Sequence, residues 1–281
     1  MEFLKNVKRR RSFINEAIYI VLNIGLAVSL LVIVRVTSSI WPAFILVALS
    51  KWRVFAVRPQ FWFANVQANL VSAIVSVSYV VFLFAANIPG ASYGQVLLLQ
   101  SILAILDICW LLLLKPKSKR KYVVSQAAVA LFMGITSIYF VSFEWIATPV
   151  VLLVWLVGYA TARHVLSSYD NEDHTVLLSL GWGLTLAEVG WLAYHWTIAY
   201  KLPIIAGVLL PQVTIIIMCL AFVVYRIYDS YYHHQKIRMS DIVLPLLFAI
   251  GIIGVLIIAF NSGTATGAGS SFVLFEGNNI A

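Results

Sequence analysis

The sequence predicts an all-α fold: a polytopic bundle of about nine transmembrane helices, with the N-terminus in the cytoplasm and the C-terminus outside. Three observations predict it. Of the 281 residues, 62% are hydrophobic and only 11% are charged, whereas a soluble domain carries roughly 25% charged residues. The apolar stretches are continuous and reach the roughly 20 residues that a helix needs to cross a bilayer. The basic residues gather in alternate loops, as they do on the cytoplasmic side of membrane proteins. Backbone groups inside a bilayer have no water to bind, so spans are helices or closed barrels. Barrel strands alternate apolar and polar residues. These runs do not, so the spans are read as helices.

In chain order the expected spans are 17–36, 40–57, 61–86, 94–114, 122–143, 146–166, 175–199, 202–225 and 242–260. The first follows a basic segment, residues 1–16, that holds Lys5, Lys8, Arg9, Arg10 and Arg11. Its apolar run reaches Val34 without an A-x-A site, so it reads as a retained span and not as a cleaved signal. The second is short and is interrupted by Lys51 and Arg53, whose long side chains are expected to snorkel to the cytoplasmic interface. If it crosses, only Arg35 and Lys201 of the 19 Lys and Arg lie outside. If it does not, 13 of the 19 would lie outside. The rule that positive charge stays inside therefore keeps it. Turn residues such as Asn87, Pro89 and Gly90 or Pro116 mark the loops. Pro149, Pro203 and Pro245 are expected in first turns, where a missing N–H costs little. Pro211 is expected to kink the eighth span. Trp41, Trp145 and Trp196 fall at outer ends and Trp62 at an inner end, the headgroup level that aromatic rings favour.

After the transmembrane domain, residues 17–260, the segment 261–281 turns to Gly, Ser and Thr and reads as a flexible tail. Its apolar patch Phe272, Val273, Leu274 and Phe275 offers a docking peptide to a protein partner. The net charge of +8 follows from membrane topology, with anionic lipids at the cytoplasmic face as its partners. Nucleic acid is not expected, since no basic module lies outside the apolar runs. Cys109 and Cys219 sit inside apolar runs and form neither a disulfide framework nor a metal spacing. Short loops point to a bacterial plasma membrane.

Two acids fall within the spans. A charge at the bilayer centre costs about 3 kcal/mol on insertion scales. Asp107 and Glu188 are thus each expected to be protonated or paired with a base. Glu188 shares a helix face with Gly181, Thr185, Trp191 and His195 at spacings of three and seven. A carboxyl and an imidazole two turns apart suit a proton relay. Asp107 shares a face with Gln100 and lies about 12 Å along the helix from Lys115. The third span carries a polar stripe, Asn65, Asn69, Ser72, Ser76 and Tyr79, at spacings that keep it on one face. Such a stripe faces protein or a hydrated path and not lipid. Its milder reading is glue: interhelical hydrogen bonds and close backbone contact. Lys117, Lys119, Arg120 and Lys121 form the basic loop expected to meet anionic lipid headgroups.

His233 and His234 are adjacent and share no helix face, so no metal site is expected there. The acidic run Asp170, Glu172 and Asp173 beside His174 lacks the spacing of a calcium loop and reads as a solvated turn. The chain has no H-E-x-x-H, Walker A or G-x-S-x-G motif, and no cofactor is expected. The leading functional reading is transport of a small solute, proton or cation, with Asp107 and Glu188 as acidic sites. The alternatives are a membrane scaffold or assembly factor, and an enzyme on lipid-linked substrates. A shared pathway requires Asp107, Glu188, His195 and the third-span stripe to converge. If they lie on separate interfaces, a two-acid pathway loses its basis.

The expected topology has a direct check. A hydrophilic tag after Ala281 should react with a membrane-impermeant reagent added outside intact cells, and a tag before Met1 should not. Reaction of the C-terminal tag only after permeabilisation would reverse the assignment.

Overall fold

The computed structural model describes residues 2–37, 39–87, 92–142, 145–170, 172–195, 199–201 and 209–261. Among them are nine α-helices: α1 (Glu2–Thr37), α2 (Trp41–Ser50), α3 (Trp62–Ala85), α4 (Tyr93–Cys109), α5 (Arg120–Val141), α6 (Ala147–Leu166), α7 (Thr175–Tyr194), α8 (Gln212–His234) and α9 (Met239–Asn261). A hairpin, β1 (Ala199–Lys201) and β2 (Leu209–Pro211), pairs Ala199 with Pro211 and Lys201 with Leu209. Eight helices are long and apolar enough to cross a bilayer; α2, at ten residues, is not. The fold is an all-α polytopic bundle.

Hydrogen bonds near the helix ends fix their alternating directions. At one end Tyr169 donates to Asp229 (3.1 Å), Tyr232 donates to the Asp170 carbonyl (2.9 Å) and Gln126 donates to the Leu114 carbonyl (2.7 Å). This basic end also carries Lys115, Lys117, Lys119, Arg120 and Lys121, and the charge rule assigns it to the cytoplasm. At the far end the Tyr194 hydroxyl donates to the carbonyls of Ser142 and Trp145.

The most enclosed span is α5, between α3, α6 and α8. Its Leu131, Ile135, Ile138 and Tyr139 form a core with Val150, Val154 and Val157 of α6, Leu186 of α7 and Val213 and Ile217 of α8. Lipid is as apolar as these side chains, so association draws on close packing and interhelical hydrogen bonds. Both occur here. Ser78 and Ser137 bridge α3 and α5 at 2.9 Å, Thr136 reaches Thr214 on α8 at 3.1 Å, and Tyr139 donates to the Gly190 carbonyl at 2.7 Å. Helices α6 and α7 meet most extensively. A Cβ on Gly183 would stand 3.0 Å from the Trp155 carbonyl oxygen, and one on Gly190 3.0 Å from a Val154 methyl.

Several expected boundaries move. The second crossing is a half-length helix followed by irregular chain. The fourth ends in a π-turn, Trp110–Leu114. The seventh stops at Tyr194 and the eighth begins at Gln212, because residues 199–211 contain the hairpin. Pro211 therefore does not kink a helix. It caps α8 with extended backbone (φ −61°, ψ 132°), which its ring and missing N–H suit. Pro245 is the seventh residue of α9 and not a first-turn residue. Helix α8 runs through His234, so His233 and His234 belong to its last turn. Residues 2–16 continue α1 as helix. Pro203, Trp196 and the tail 262–281 lie outside the described residues.

The α6–α7 contact should be sensitive to one added methyl group. Gly183→Ala is expected to destabilise the bundle by about 1–3 kcal/mol through overpacking, read as a lower thermal midpoint in detergent. Gly181→Ala, where a Cβ would meet nothing within 4 Å, should leave that midpoint unchanged or slightly raised. Equal effects of the two substitutions would contradict the packing described.

Candidate functional site

Lys51, Asn65 and Ser72 meet where the second crossing breaks. Helix α2 begins with Trp41 and Pro42 at the far end and runs ten residues, about 15 Å, or half of a bilayer core. Its cap residue is Lys51, whose amide donates to the carbonyls of Val47 (3.2 Å) and Ala48 (3.1 Å). Beyond it lie 3₁₀ turns at Trp52–Val54 and Pro59–Phe61. Irregular backbone at membrane depth persists only where protein or trapped water satisfies its polar groups. Asn65 of the third-span stripe does this, together with the Trp62 indole, which donates to the carbonyls of Phe55 (3.1 Å) and Val57 (2.9 Å). Asn65 donates to the Val54 carbonyl at 2.7 Å. The Lys51 ammonium donates to the Ser72 hydroxyl at 2.7 Å and to the Ser72 carbonyl at 3.3 Å. Ser72 lies ten residues into α3, about 15 Å from Trp62, so Lys51 is held near mid-depth and does not snorkel. An ammonium also suits the end of a helix, where unsatisfied carbonyls concentrate negative potential.

The remaining stripe residues act within or between helices. Asn69 donates to the Asn65 carbonyl (2.8 Å) and Ser76 to the Ser72 carbonyl (2.9 Å). Tyr79 reaches the Ala27 carbonyl of α1 at 3.3 Å. The stripe is thus partly glue, while Asn65 and Ser72 serve the break.

Asp107 sits on α4 with 6% of its surface exposed. It makes no hydrogen bond and no ion pair among the described residues. Its electrostatic neighbours are Lys51 and Lys115, and its charge also acts on Tyr79. Burial holds Lys115, just past the span, below the ordinary lysine range, with Asp107 acting against that shift. Two more polar atoms on the same α4 face lack partners. The buried Gln100 donates to the carbonyl of Leu83 (3.2 Å) and the side chain of Asn87 (3.3 Å), but its Oε1 accepts nothing; the Trp110 indole N–H donates to nothing. Gln100, Asp107 and Trp110 are seven and three residues apart, the spacing of one face. The π-turn follows at once, closed by the Lys115 amide on the Trp110 carbonyl at 2.9 Å. Single π-turns occur often at functional sites. From α1, Tyr19 donates to the Leu111 carbonyl inside that turn at 3.0 Å.

Glu188 lies elsewhere. It is exposed on the outer surface of α7, as are Thr185 and His195. Thr185 donates to its own helix at Gly181 (3.0 Å), and the His195 ring packs edge-on against Trp191. The two acids do not converge. The polar stripe meets the Asp107 region through Lys51, while Glu188 and His195 face away from the bundle. Lys51, Lys115 and Trp110 were not read as site residues in the sequence. The available signal was Lys51 itself, a cation inside an apolar run too short for a helical span.

The basic end is a clamp of charge and aromatic rings. The Arg120 guanidinium stacks 4.2 Å from the Tyr169 ring centre and lies 3.9 Å from the Asp229 carboxylate. It is turned into the protein, while Lys117 and Lys121 lie over the Tyr122 ring and Lys119 is exposed at the start of α5. Burial pushes the Tyr169 phenol above its ordinary range, with the Asp229 charge adding to the shift. The acidic loop is docked and not free: Glu172 accepts from the Tyr228 hydroxyl and from the His174 amide (3.0 Å). His233 lies 3.6 Å from Asp229 and His234 3.9 Å from Asp241. Among the described residues no group of three His, Cys, Asp or Glu is placed to hold a metal ion.

The Tyr228 bond is the largest influence holding the Glu172 carboxyl below its ordinary value. A lowered folded-state value adds stability above the unfolded value, about 4.5, and loses it as pH falls through the folded one. The site is solvated, so the contribution is at most about 1 kcal/mol. Tyr228→Phe is expected to lower the thermal midpoint at pH 7 more than at pH 3. Equal losses at both pH values would dissociate the clamp from this bond.

No protein-family model, no curated protein and no solved structure matches this chain, so the functional reading rests on the geometry above.

Proposed function

We propose that the protein carries protons or a small charged solute across the membrane, using a site built from Lys51, Ser72, Asp107 and Lys115. The observation that supports this best is the unpartnered, buried Asp107 beside a membrane crossing that breaks at Lys51. Ionisable groups inside a bilayer cost free energy and line substrate or proton paths. Transporter sites commonly lie where helices are discontinuous at mid-depth, with unwound backbone facing the solute. This chain has an α2 of half the needed length and a π-turn in α4, both next to one carboxylate.

The charge arrangement suggests how the site works. One carboxylate lies under the influence of two ammonium groups, and Lys51 already holds an alternative seat on Ser72. When Asp107 is ionised, Lys51 and Lys115 are drawn toward it. When Asp107 takes up a proton, the attraction vanishes and Lys51 rests on Ser72 alone. Two such arrangements form an equilibrium that a proton or solute shifts by binding one of them better. Gln100 and Trp110 offer an acceptor and a donor along the same face. Glu188 has no part in this path, so the reading is a single-acid site and not a relay between two acids.

The test is reconstitution of the full chain in vesicles with a trapped pH-sensitive dye and an imposed membrane potential. Asp107→Asn and Lys51→Met are expected to reduce proton flux at least about tenfold, the effect of 1.4 kcal/mol on a barrier. Helical content should be unchanged. Undiminished flux in Asp107→Asn would overturn the assignment of the site.

A further inference from the structure

Helix α7 carries two glycine faces, and only one is used. Gly183 and Gly190 seat α6, where an added Cβ would meet Trp155 or Val154 at 3.0 Å. On the other side, a Cβ at Gly181 would meet nothing within 4 Å. Thr185 and Glu188 follow on that side, and all three are exposed. Glu188 makes no hydrogen bond or ion pair among the described residues. It lies 13 residues from Thr175 and six from Tyr194, about 20 Å and 9 Å along the helix. A glutamate side chain is too short to reach the far interface from there. An ionised carboxylate facing hydrocarbon is costly, and such groups are found paired.

We propose that this face of α7 docks a transmembrane helix of another protein, one that carries a Lys or Arg at the depth of Glu188. Gly181 and Thr185, four residues apart, allow two backbones to approach closely, as small residues do at membrane helix contacts. Glu188 then supplies the charge that selects the partner. The charge pattern of this chain argues against a second copy as occupant. If this face of α7 met the same face of a second copy about a two-fold axis normal to the membrane, the two Glu188 carboxylates would lie at one depth beside each other. Among the described side chains, the bases near the far end are Arg35, which lies over the Tyr93 ring at 4.6 Å, and His195, two turns from Glu188 and packed edge-on against Trp191; neither pairs with Glu188. Among the described side chains, this face therefore has no charge complement.

The experiment uses the full chain in phosphatidylcholine vesicles and a synthetic single-span Leu/Ala helix with one Lys placed six residues from its outer end. Association is read by energy transfer between a label on the protein and one on the peptide. Binding of the Lys peptide is expected to be about tenfold tighter than that of the same peptide with Leu. Glu188→Leu should abolish the difference, and Gly181→Leu should weaken both peptides. Because this face is outside the core, helical content and thermal midpoint serve as the control for folding in each variant. Equal binding of the Lys and Leu peptides, or a preference that survives Glu188→Leu, would overturn the proposal. So would self-association that needs Glu188 and is undisturbed by the peptide, which would assign the face to a second copy. Proton flux through the Asp107 site is not measured in this assay, so the two readings stand or fall separately.

Discussion

The constraint on which the structure depends is the absence of water from the bilayer interior. Each backbone N–H and C=O at that depth needs a partner from the protein. Eight long helices satisfy the requirement internally. The second crossing cannot, because its helix ends at Ser50. The missing partners come from α3. Asn65 donates to the Val54 carbonyl and the Trp62 indole to those of Phe55 and Val57, while Ser72 holds the Lys51 ammonium. A polar stripe that would be wasted against lipid is thus what allows a helix to stop halfway. The break places a lysine near Asp107, so the requirement for backbone partners also creates the charged site.

Polar residues in this bundle fall into three physical groups. Ser78, Ser137, Thr136 and Thr214 pair across helices and hold the core together. Asn65, Trp62 and Tyr19 satisfy backbone at the irregular points, the break after α2 and the π-turn of α4, while Ser72 accepts from the Lys51 ammonium beside the break. Gln100 Oε1, Trp110 Nε1 and Arg163 Nη1 are buried atoms without a partner, and the buried residue Asp107 makes no hydrogen bond or ion pair among the described residues. Buried polar atoms are nearly always bonded, and each exception calls for an explanation. Gln100 Oε1 and Trp110 Nε1 lie on one face of α4 with Asp107, beside the two irregular points; the third buried atom without a partner among the described residues, Arg163 Nη1, lies on α6. The first two groups stabilise the bundle. The third costs stability, because a buried polar atom without a partner has lost its bonds to water.

The number and order of helices were legible because they follow from two strong signals, apolar length and the alternation of basic loops. The break in the second crossing was only half legible. Lys51 and Arg53 marked it as unusual, but a snorkelling lysine and one turned inward look identical in sequence; the difference is the hydroxyl of Ser72, 21 residues away. The hairpin at 199–211 was hidden because Leu209, Leu210 and Pro211 are apolar enough to join the run that follows. Hydropathy measures solvent preference and says nothing about backbone shape over three residues. Likewise Arg120 counts as a loop cation in any sequence reading, yet Tyr169 and Asp229, from distant segments, draw it into the protein.

The separation of the two acids shows why helix faces in sequence do not yet make a site. Periodicity groups Gly181, Thr185, Glu188 and His195 correctly, but it does not say which way the group points. In α7 that choice is made by Gly183 and Gly190. They share a face, and only they allow α7 to lie against Trp155 and Val154 of α6. At 3.6 residues per turn, Glu188 stands about 140° around the helix from Gly183. Once the glycines turn inward, the glutamate must turn outward. No comparable pair constrains α4, where Ala104 and Trp110 are buried on the side that carries Asp107. Two carboxylic acids therefore meet opposite fates, and on α7 the deciding residues are not the acid but the two glycines packed against α6.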